Sequence, residues 1–393
     1  MRTIRFVVRC GVLAMLVVCS LPLLPWSWAP QVPPAVSPFL TIGSAIAGRV
    51  LTTAFLIGIP FGLMAMVSRR WLCRNICPIG LLLEPLARLG PSKTAGFPPL
   101  GQWIALLTFG GACLGYPLLL WSDPMALFSG FFGAFTKSLT VTALLSAIGL
   151  PLVLLISLVR PNLWCAKLCP LGATQDFLAL PRRLLRRSQS ETPDAGDVPL
   201  APYRFGTGLA RRSVLAMGLG AAWAAVTLRF PRAEAARPLR PPGAIAERRF
   251  TGVCVRCGSC VRACPTKIIQ PDLGQGGVAG FLAPALDFDK GYCLETCSRC
   301  TEVCPSGAIS RLSLEQKRRT PIGLAQVDME HCLLGEDKEC SICVARCPYQ
   351  AITIAFDRES YTSIPRIARD KCPGCGACEL ACPTTPKAIT VRP

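Results

Sequence analysis

The chain has 393 residues, 51% of them hydrophobic and 17% charged, and its 23 cysteines stand against a single histidine, His331. So apolar a composition excludes disorder and argues against an ordinary water-soluble enzyme, while one histidine and the lack of any C-x-x-C-H exclude bis-histidine haem, His-rich metal sites and covalent haem. The net charge of +19 sits almost wholly in residues 1–249, which carry 25 Lys/Arg and 8 Asp/Glu; there it alternates with apolar runs, which points to membrane topology and away from nucleic acid.

In chain order, apolar runs at residues 10–24, 50–67, 102–121 and 139–159 predict four membrane crossings, and a fifth run at 213–230 follows a polar linker. Arg2, Arg5 and Arg9 before the first run, with Trp26 and Trp28 after it, suit a retained helix better than a cleaved signal. Basic segments at 68–101 and 160–212 are expected on the cytoplasmic side, so the fifth run would carry the rest of the chain to the other face. Against this, Arg229, Arg232, Arg237, Arg240, Arg248 and Arg249 follow that run on the side that should lack charge. The expected architecture is an N-terminal α-helical transmembrane bundle of about four helices plus a fifth anchor helix, then an α+β bacterial-ferredoxin-like polyferredoxin domain. The expected divisions are 1–187, a linker at 188–249, and 250–393.

The helical part is duplicated. After the second run comes Arg70-Trp71-Leu72-Cys73-x3-Cys77-Pro78-Ile79-Gly80, and after the fourth comes Leu163-Trp164-Cys165-x3-Cys169-Pro170-Leu171-Gly172. Spacing i, i+4 on a helix would present both thiols of each pair on one face. Cys73, Cys77, Cys165 and Cys169 are therefore a candidate redox or metal site: four thiolates on a metal or cluster, or two redox dithiols, with inert buried cysteines as the plain alternative. Each copy also places a carboxylate seven residues past its second cysteine, Glu84 and Asp176, for which a proton-accepting role toward a quinol competes with simple solvation. Cys10, Cys19 and Cys113 have no partner at ligand spacing and are expected to pack as apolar groups.

The linker at 188–203 is polar, and beyond it Ala210-Arg211-Arg212-Ser213 leads into an Ala- and Gly-rich run that resembles a twin-arginine export signal. Ala233-Glu234-Ala235 is faintly like a cleavage site, but retention of the helix is expected, since cleavage would separate the two halves.

From Gly252 onward one unit recurs four times, with cysteines at Cys254, Cys257, Cys260, Cys264; Cys293, Cys297, Cys300, Cys304; Cys332, Cys340, Cys343, Cys347; and Cys372, Cys375, Cys378, Cys382. A proline follows each fourth cysteine, and a short apolar stretch follows that: Ile268-Ile269, Ala308-Ile309, Ala351-Ile352, Ala388-Ile389. Three cysteines in a tight loop wrap one face of a cubane, and the fourth reaches a neighbouring cluster in two-cluster ferredoxins. Small residues such as Gly258, Ser259, Gly374 and Gly376 are expected to let the loop approach the inorganic core. Sixteen such cysteines predict four [4Fe–4S] clusters; zinc ribbons and disulfides do not account for four copies of one ordered pattern. Spacing leaves the pairing of fourth cysteines open: adjacent units, or first with fourth and second with third. His331 beside Cys332 is expected to face solvent. Full cysteine ligation leaves no open iron, so the chemistry expected is electron transfer.

Taken together, the duplicated C-x3-C-P elements and the twin-arginine segment with four cluster motifs resemble the ferredoxin-type quinol dehydrogenase subunits of periplasmic nitrate reduction, the NapH and NapG types, and the related MauN and MauM ferredoxins. Here both parts lie in one chain, without the cytoplasmic two-cluster segment of the membrane subunit. The resemblance implies membrane quinol as donor, lipid and the quinone pool as partners, and a periplasmic cytochrome or terminal reductase as acceptor. It places the protein in the bacterial inner membrane as a multi-pass component, with the ferredoxin domain periplasmic. The alternative is an assembly or maturation factor that supplies reductant or handles metal for another metalloprotein.

Overall fold

The apolar runs of the N-terminal half fold as helices, but as short ones. The computed structural model describes residues 2–21, 28–87, 97–133, 141–160, 163–182, 208–229, 237–336, 338–358 and 361–393. Thr53–Val67 has 15 residues with Pro60 inside it, about 22 Å of helix against a hydrocarbon core of about 30 Å. Leu100–Cys113 is followed by a turn at Gly115, where φ is 85°. The run at 139–159 divides into Val141–Ala147 and Gly149–Val159. The two longest helices, Arg2–Ser20 and Gly208–Arg229, carry Arg5 and Arg9, and Arg211 and Arg212.

Among the described residues no helix is long and apolar enough to cross a membrane. The expected transmembrane bundle with its fifth anchor helix is thereby corrected: the hydropathy runs are interrupted by turns or interspersed with arginine, so none becomes one long apolar rod. The linker at 188–203, Trp26 and Ala233-Glu234-Ala235 lie outside the described residues.

Two compact units result, Met1–Arg232 with Ala246–Ser259 and Pro305–Ala308, and Ala233–Ile245 with Cys260–Cys304 and Ile309–Pro393. In the first, Phe39, Leu40, Ile79, Leu120, Phe128 and Leu171 form a buried core, with Phe39 meeting Phe109 edge-on at 5.7 Å between centroids. The helix Gly208–Arg229 lies against Leu100–Cys113 backbone to backbone. A Cβ added at Gly220 would fall 2.2 Å from the Leu107 carbonyl oxygen, and one at Gly110 would fall 2.1 Å from that of Met217. The small residues of this export-like segment thus form a helix-packing seam, in which Ala216 and Ala224 are fully buried.

The second unit is built on three two-stranded antiparallel ladders. Strand β1 (Ile269–Pro271) pairs with β2 (Pro284–Leu286), β3 (Leu324–Val327) with β6 (Ile389–Arg392), and β4 (Ile352–Asp357) with β5 (Thr362–Ile367). β1, β4 and β6 each begin in the apolar stretch after a fourth cysteine, and after the second motif Ile309 makes a single bridge to Ala244. Those stretches alternate inward: Ile269, Ile352, Ile389 and Val391 join Leu286 and Phe288 in one core that includes Cys300 and Cys378. The polyferredoxin motifs and the core of this unit are therefore the same structure.

Candidate iron–sulfur centres

Three pockets in the second unit are each lined by four cysteines. Cys264 joins Cys293, Cys297 and Cys300. Cys347 joins Cys372, Cys375 and Cys378. Cys382 joins Cys332, Cys340 and Cys343. Three of the fourth cysteines, Cys264, Cys347 and Cys382, thus serve the neighbouring motif, and the third and fourth motifs exchange theirs reciprocally. Of the remaining four, Cys254 and Cys257 fall in the first unit and Cys260 and Cys304 in the second.

Local folding explains the arrangement. After its fourth cysteine the chain turns into the extended apolar stretch, and that stretch directs amides back at the sulfur: Ile309 N–H donates to Cys304 Sγ at 3.4 Å and Ala351 N–H to Cys347 Sγ at 3.3 Å. At Cys382 burial raises the thiol, but the Thr384 hydroxyl and the amides of Thr384, Ala388 and Ile389 outweigh it and leave the group below its ordinary value. At Cys375 and Cys378 a single amide each, of Ala377 and Glu379, is outweighed, and burial pushes them up to about 11 and about 12. Burial thus disfavours a bare thiolate at these positions, and a bound cationic iron core would reverse the balance. Four sulfurs, apolar walls and inward amides fit a cubane.

The glycines of the fourth motif do something other than expected. Gly376 has φ 83°, and a Cβ there would fall 2.3 Å from the Phe288 ring; at Gly374 it would fall 2.3 Å from the Gly323 carbonyl oxygen. Protein packing behind the loop, at least as much as the approach to iron, requires them. A backbone hydrogen bond of 2.8 Å from Cys293 N–H to the Cys375 carbonyl ties a ligand of one pocket to a ligand of the next.

In the first unit Cys73, Cys77, Cys165 and Cys169 come together. The pairs do not share one helix face as expected. Cys73 lies on Trp71–Asn75 and Cys165 on the π-helical turn Trp164–Leu168, whereas Cys77 and Cys169 immediately precede the helices Pro78–Ala87 and Pro170–Leu178. In both copies the second cysteine's amide reaches five residues back, Cys77 to Leu72 and Cys169 to Trp164, each at 2.8 Å. Gly80 is required by this turn, because a Cβ would fall 2.8 Å from the Cys73 carbonyl oxygen.

The surroundings bind the two copies to each other. Arg70, buried and at φ 52°, pairs with buried Asp176 at 2.8 Å, and Arg69 reaches the same carboxylate at 2.9 Å. Gln175, fully buried, accepts from Leu72 N–H at 3.1 Å and donates to Cys73 Sγ at 3.1 Å. Burial pushes all four thiols up, opposed at Cys73 by Arg70 and Gln175 and at Cys77 and Cys169 by the amides of Gly80 and Gly172. Asp176 is accordingly buried and paired with two arginines instead of solvated; Glu84 pairs with Arg9 near the surface.

Among the described residues no group of three or more His, Cys, Asp or Glu is placed to hold a single metal ion. Sulfurs around a cubane stand farther apart than ligands around one ion, so this bears on a mononuclear site and not on a cluster. His331 faces solvent and bonds Asp328 at 2.9 Å, and Cys113, expected to pack, is exposed. No sequence signal marks Arg70, Gln175 or Lys317 as a site residue. Arg70 lies 106 positions from its partner, which no local pattern signals.

A family model described as a 4Fe-4S dicluster domain matches residues 253–308 and 338–385, one match for each adjacent pair of motifs. A second, described as a 4Fe-4S binding domain, matches 50–95 and 142–188, the two C-x3-C-P copies. The ferredoxin-type protein NapG of Escherichia coli (strain K12) is 38% identical over 187 residues, which is 45% of this chain and 80% of that protein. The methylamine utilization ferredoxin-type protein MauM of Methylobacillus flagellatus is 36% identical over 197 residues, 47% of this chain and 80% of that protein. The ferredoxin-type protein NapF of Escherichia coli (strain K12) is 32% identical over 162 residues, 40% and 87%. No solved structure matches the chain. Paired pockets, dicluster matches and relatives agree, and the chain belongs to the NapG/MauM-like family of ferredoxin-type proteins, carrying [4Fe–4S] clusters for electron transfer.

Proposed function

We propose that the protein takes electrons from membrane quinol and relays them through four [4Fe–4S] clusters to a periplasmic cytochrome or terminal reductase. The observation that carries the relay is the Cys293–Cys375 backbone bond, which sets two four-cysteine pockets side by side. The count of four clusters rests on the sixteen cysteines of the four sequence motifs. Bound in these pockets, a [4Fe–4S] cluster supplies a one-electron couple. The chain's own part is to hold the sulfurs, aim amides at them and exclude water with the isoleucines of β1, β4 and β6.

Quinol gives up two electrons and two protons, so its oxidation needs lipid access and a first acceptor. Lipid as a partner is supported by exposed apolar side chains on three helices: Leu56 and Leu63, Leu152 and Leu155, and Leu219 and Trp223. Cys73, Cys77, Cys165 and Cys169 are the candidate first acceptor, as a further redox or metal site. The Arg211-Arg212 pair supports a periplasmic destination for the cluster domain.

A second reading, a maturation factor that hands metal or reductant to another metalloprotein, draws on the same four cysteines, half-buried or buried and lying outside the four ferredoxin motifs. Anaerobically purified protein given a reduced quinol analogue separates the two. Relay function predicts about sixteen irons per chain and rapid bleaching of the iron–sulfur absorbance. Slow bleaching, with tight metal uptake abolished by Cys73→Ser and Cys165→Ser, would support maturation instead.

A further inference from the structure

Three basic side chains are buried among the described residues: Arg70, Arg240 and Lys317. The arginines have carboxylates, Asp176 for Arg70 and Asp272 at 3.7 Å for Arg240, which also donates to the Pro284 carbonyl at 2.9 Å. Lys317 is 3% exposed, and no carboxylate among the described residues pairs with it. Its ammonium donates to the Leu294 carbonyl, next in sequence to Cys293, whose thiol feels its charge. An ammonium taken out of water without an anion is strongly disfavoured. The anion it faces is the cysteine set Cys264, Cys293, Cys297 and Cys300, because four thiolates around a [4Fe–4S] core carry net negative charge.

The placement is built by the sequence around it. Ser313 caps the helix Leu314–Arg319 through a reciprocal bond with Gln316, which fixes the helix start and turns Lys317 inward, while Arg319 pairs outward with Glu315. No lysine or arginine lines any of the three pockets; Lys317 reaches the first from behind, through the carbonyl of its lining residue Leu294, and no other lysine is buried among the described residues.

Hydrogen bonds and positive charge beside a ligand sulfur stabilise the reduced, more negative state of a cluster and raise its potential. We infer that Lys317 is a positioning residue that raises the reduction potential of the cluster on Cys264, Cys293, Cys297 and Cys300 above those in the other two four-cysteine pockets, making it the place where an electron in the relay comes to rest. This rests on the reading of these cysteines as cluster ligands and adds an order to the relay. Since Cys293 is bonded to Cys375, the higher-potential cluster lies directly beside the Cys347, Cys372, Cys375 and Cys378 pocket.

The test compares full-length, anaerobically purified wild type, Lys317→Met and Lys317→Arg by iron content and by potentiometry followed by EPR. Lys317→Met at full iron should move one centre to lower potential, changing its reduced-to-oxidised ratio at fixed potential tenfold or more, about 59 mV for a one-electron couple. Lys317→Arg should stay close to wild type. Loss of about four irons in Lys317→Met but not in Lys317→Arg would also support the assignment, since the charge would then be needed to hold the cluster. Full iron with potentials unchanged or raised in Lys317→Met overturns it, as does equal iron loss in both variants, which would make Lys317 a packing residue. Wild type without about sixteen irons would instead overturn the cluster reading itself.

Discussion

The two units gather cysteines by opposite means. In the second, cysteines stand on loops and are served by backbone amides, with the buried Lys317 bonded to the carbonyl of Leu294 behind one four-cysteine pocket. In the first, four cysteines stand beside two duplicated helix starts and are framed by an ion pair and a buried amide side chain, Arg70, Asp176 and Gln175. Amides are partial charges fixed by the fold, so a pocket built from them survives the loss of any one neighbour. A buried ion pair is all or nothing, and removing one partner leaves a bare charge. The first unit should therefore be the more brittle.

The largest effect expected tests the loop-borne side. Cys264→Ser should lower iron by about four per chain. Adding Cys300→Ser should remove no more, because both belong to one pocket, whereas adding Cys347→Ser should bring the loss to about eight irons. Equal losses from both double variants would break the exchange of fourth cysteines. On the ion-paired side, Asp176→Ala should cost about 3–5 kcal/mol by stranding Arg70. All seven tryptophans lie within residues 26–223, so tryptophan fluorescence reports unfolding of the first unit alone. A loss under about 1 kcal/mol, the range of exposed pairs, would mean that the pair is not buried as described.

How much of this was legible in the sequence follows the same division. The four motifs were readable because their geometry is local: loop, fourth cysteine, proline, apolar stretch. Their pairing was not, because where Cys264 or Cys382 lands depends on the path between motifs and not on spacing. The first unit misled for a related reason. Hydropathy counts apolar residues in a window, but the turn at Gly115 and the break between Ala147 and Gly149 lie inside windows that otherwise read as continuous. Asp176 was half visible, since the repeat placed a carboxylate after each second cysteine. Nothing local said that Asp176 would meet two arginines while Glu84 met Arg9.

A smaller effect sharpens the comparison at the helix seam. Gly220→Ala puts a methyl group 2.2 Å from the Leu107 carbonyl oxygen, so Gly208–Arg229 must shift away from Leu100–Cys113. The expected cost is about 1–3 kcal/mol in the fluorescence-detected transition. Gly218→Ala, on the same helix with nothing within 4 Å of the added Cβ, should be neutral or slightly stabilising. If both behave alike, the seam is not where these helices meet.

The smallest effect concerns Asp123, the carboxylate that the first unit holds in the second unit's manner, with amides in place of arginine. It accepts from the Ser37 hydroxyl at 2.5 Å and from the Met125 and Ala126 amides at 3.0 and 3.1 Å, at the start of Pro124–Gly133. Burial raises its pKa from 3.8 to about 6, more than these donors lower it. A carboxyl whose folded pKa lies above its unfolded one binds more protons when folded, so acid favours the fold through this group. Its charge is a penalty at pH 7 that fades as pH falls through 6. Asp123→Asn keeps an acceptor for the amides and removes the titration. Wild type should thus gain about 1 kcal/mol relative to the variant between pH 7 and pH 5, read from fluorescence midpoints at the two pH values. A gain in the opposite direction would mean that the donors outweigh burial at Asp123, and that amides alone can hold a charge in the first unit as they do around the cysteines of the second.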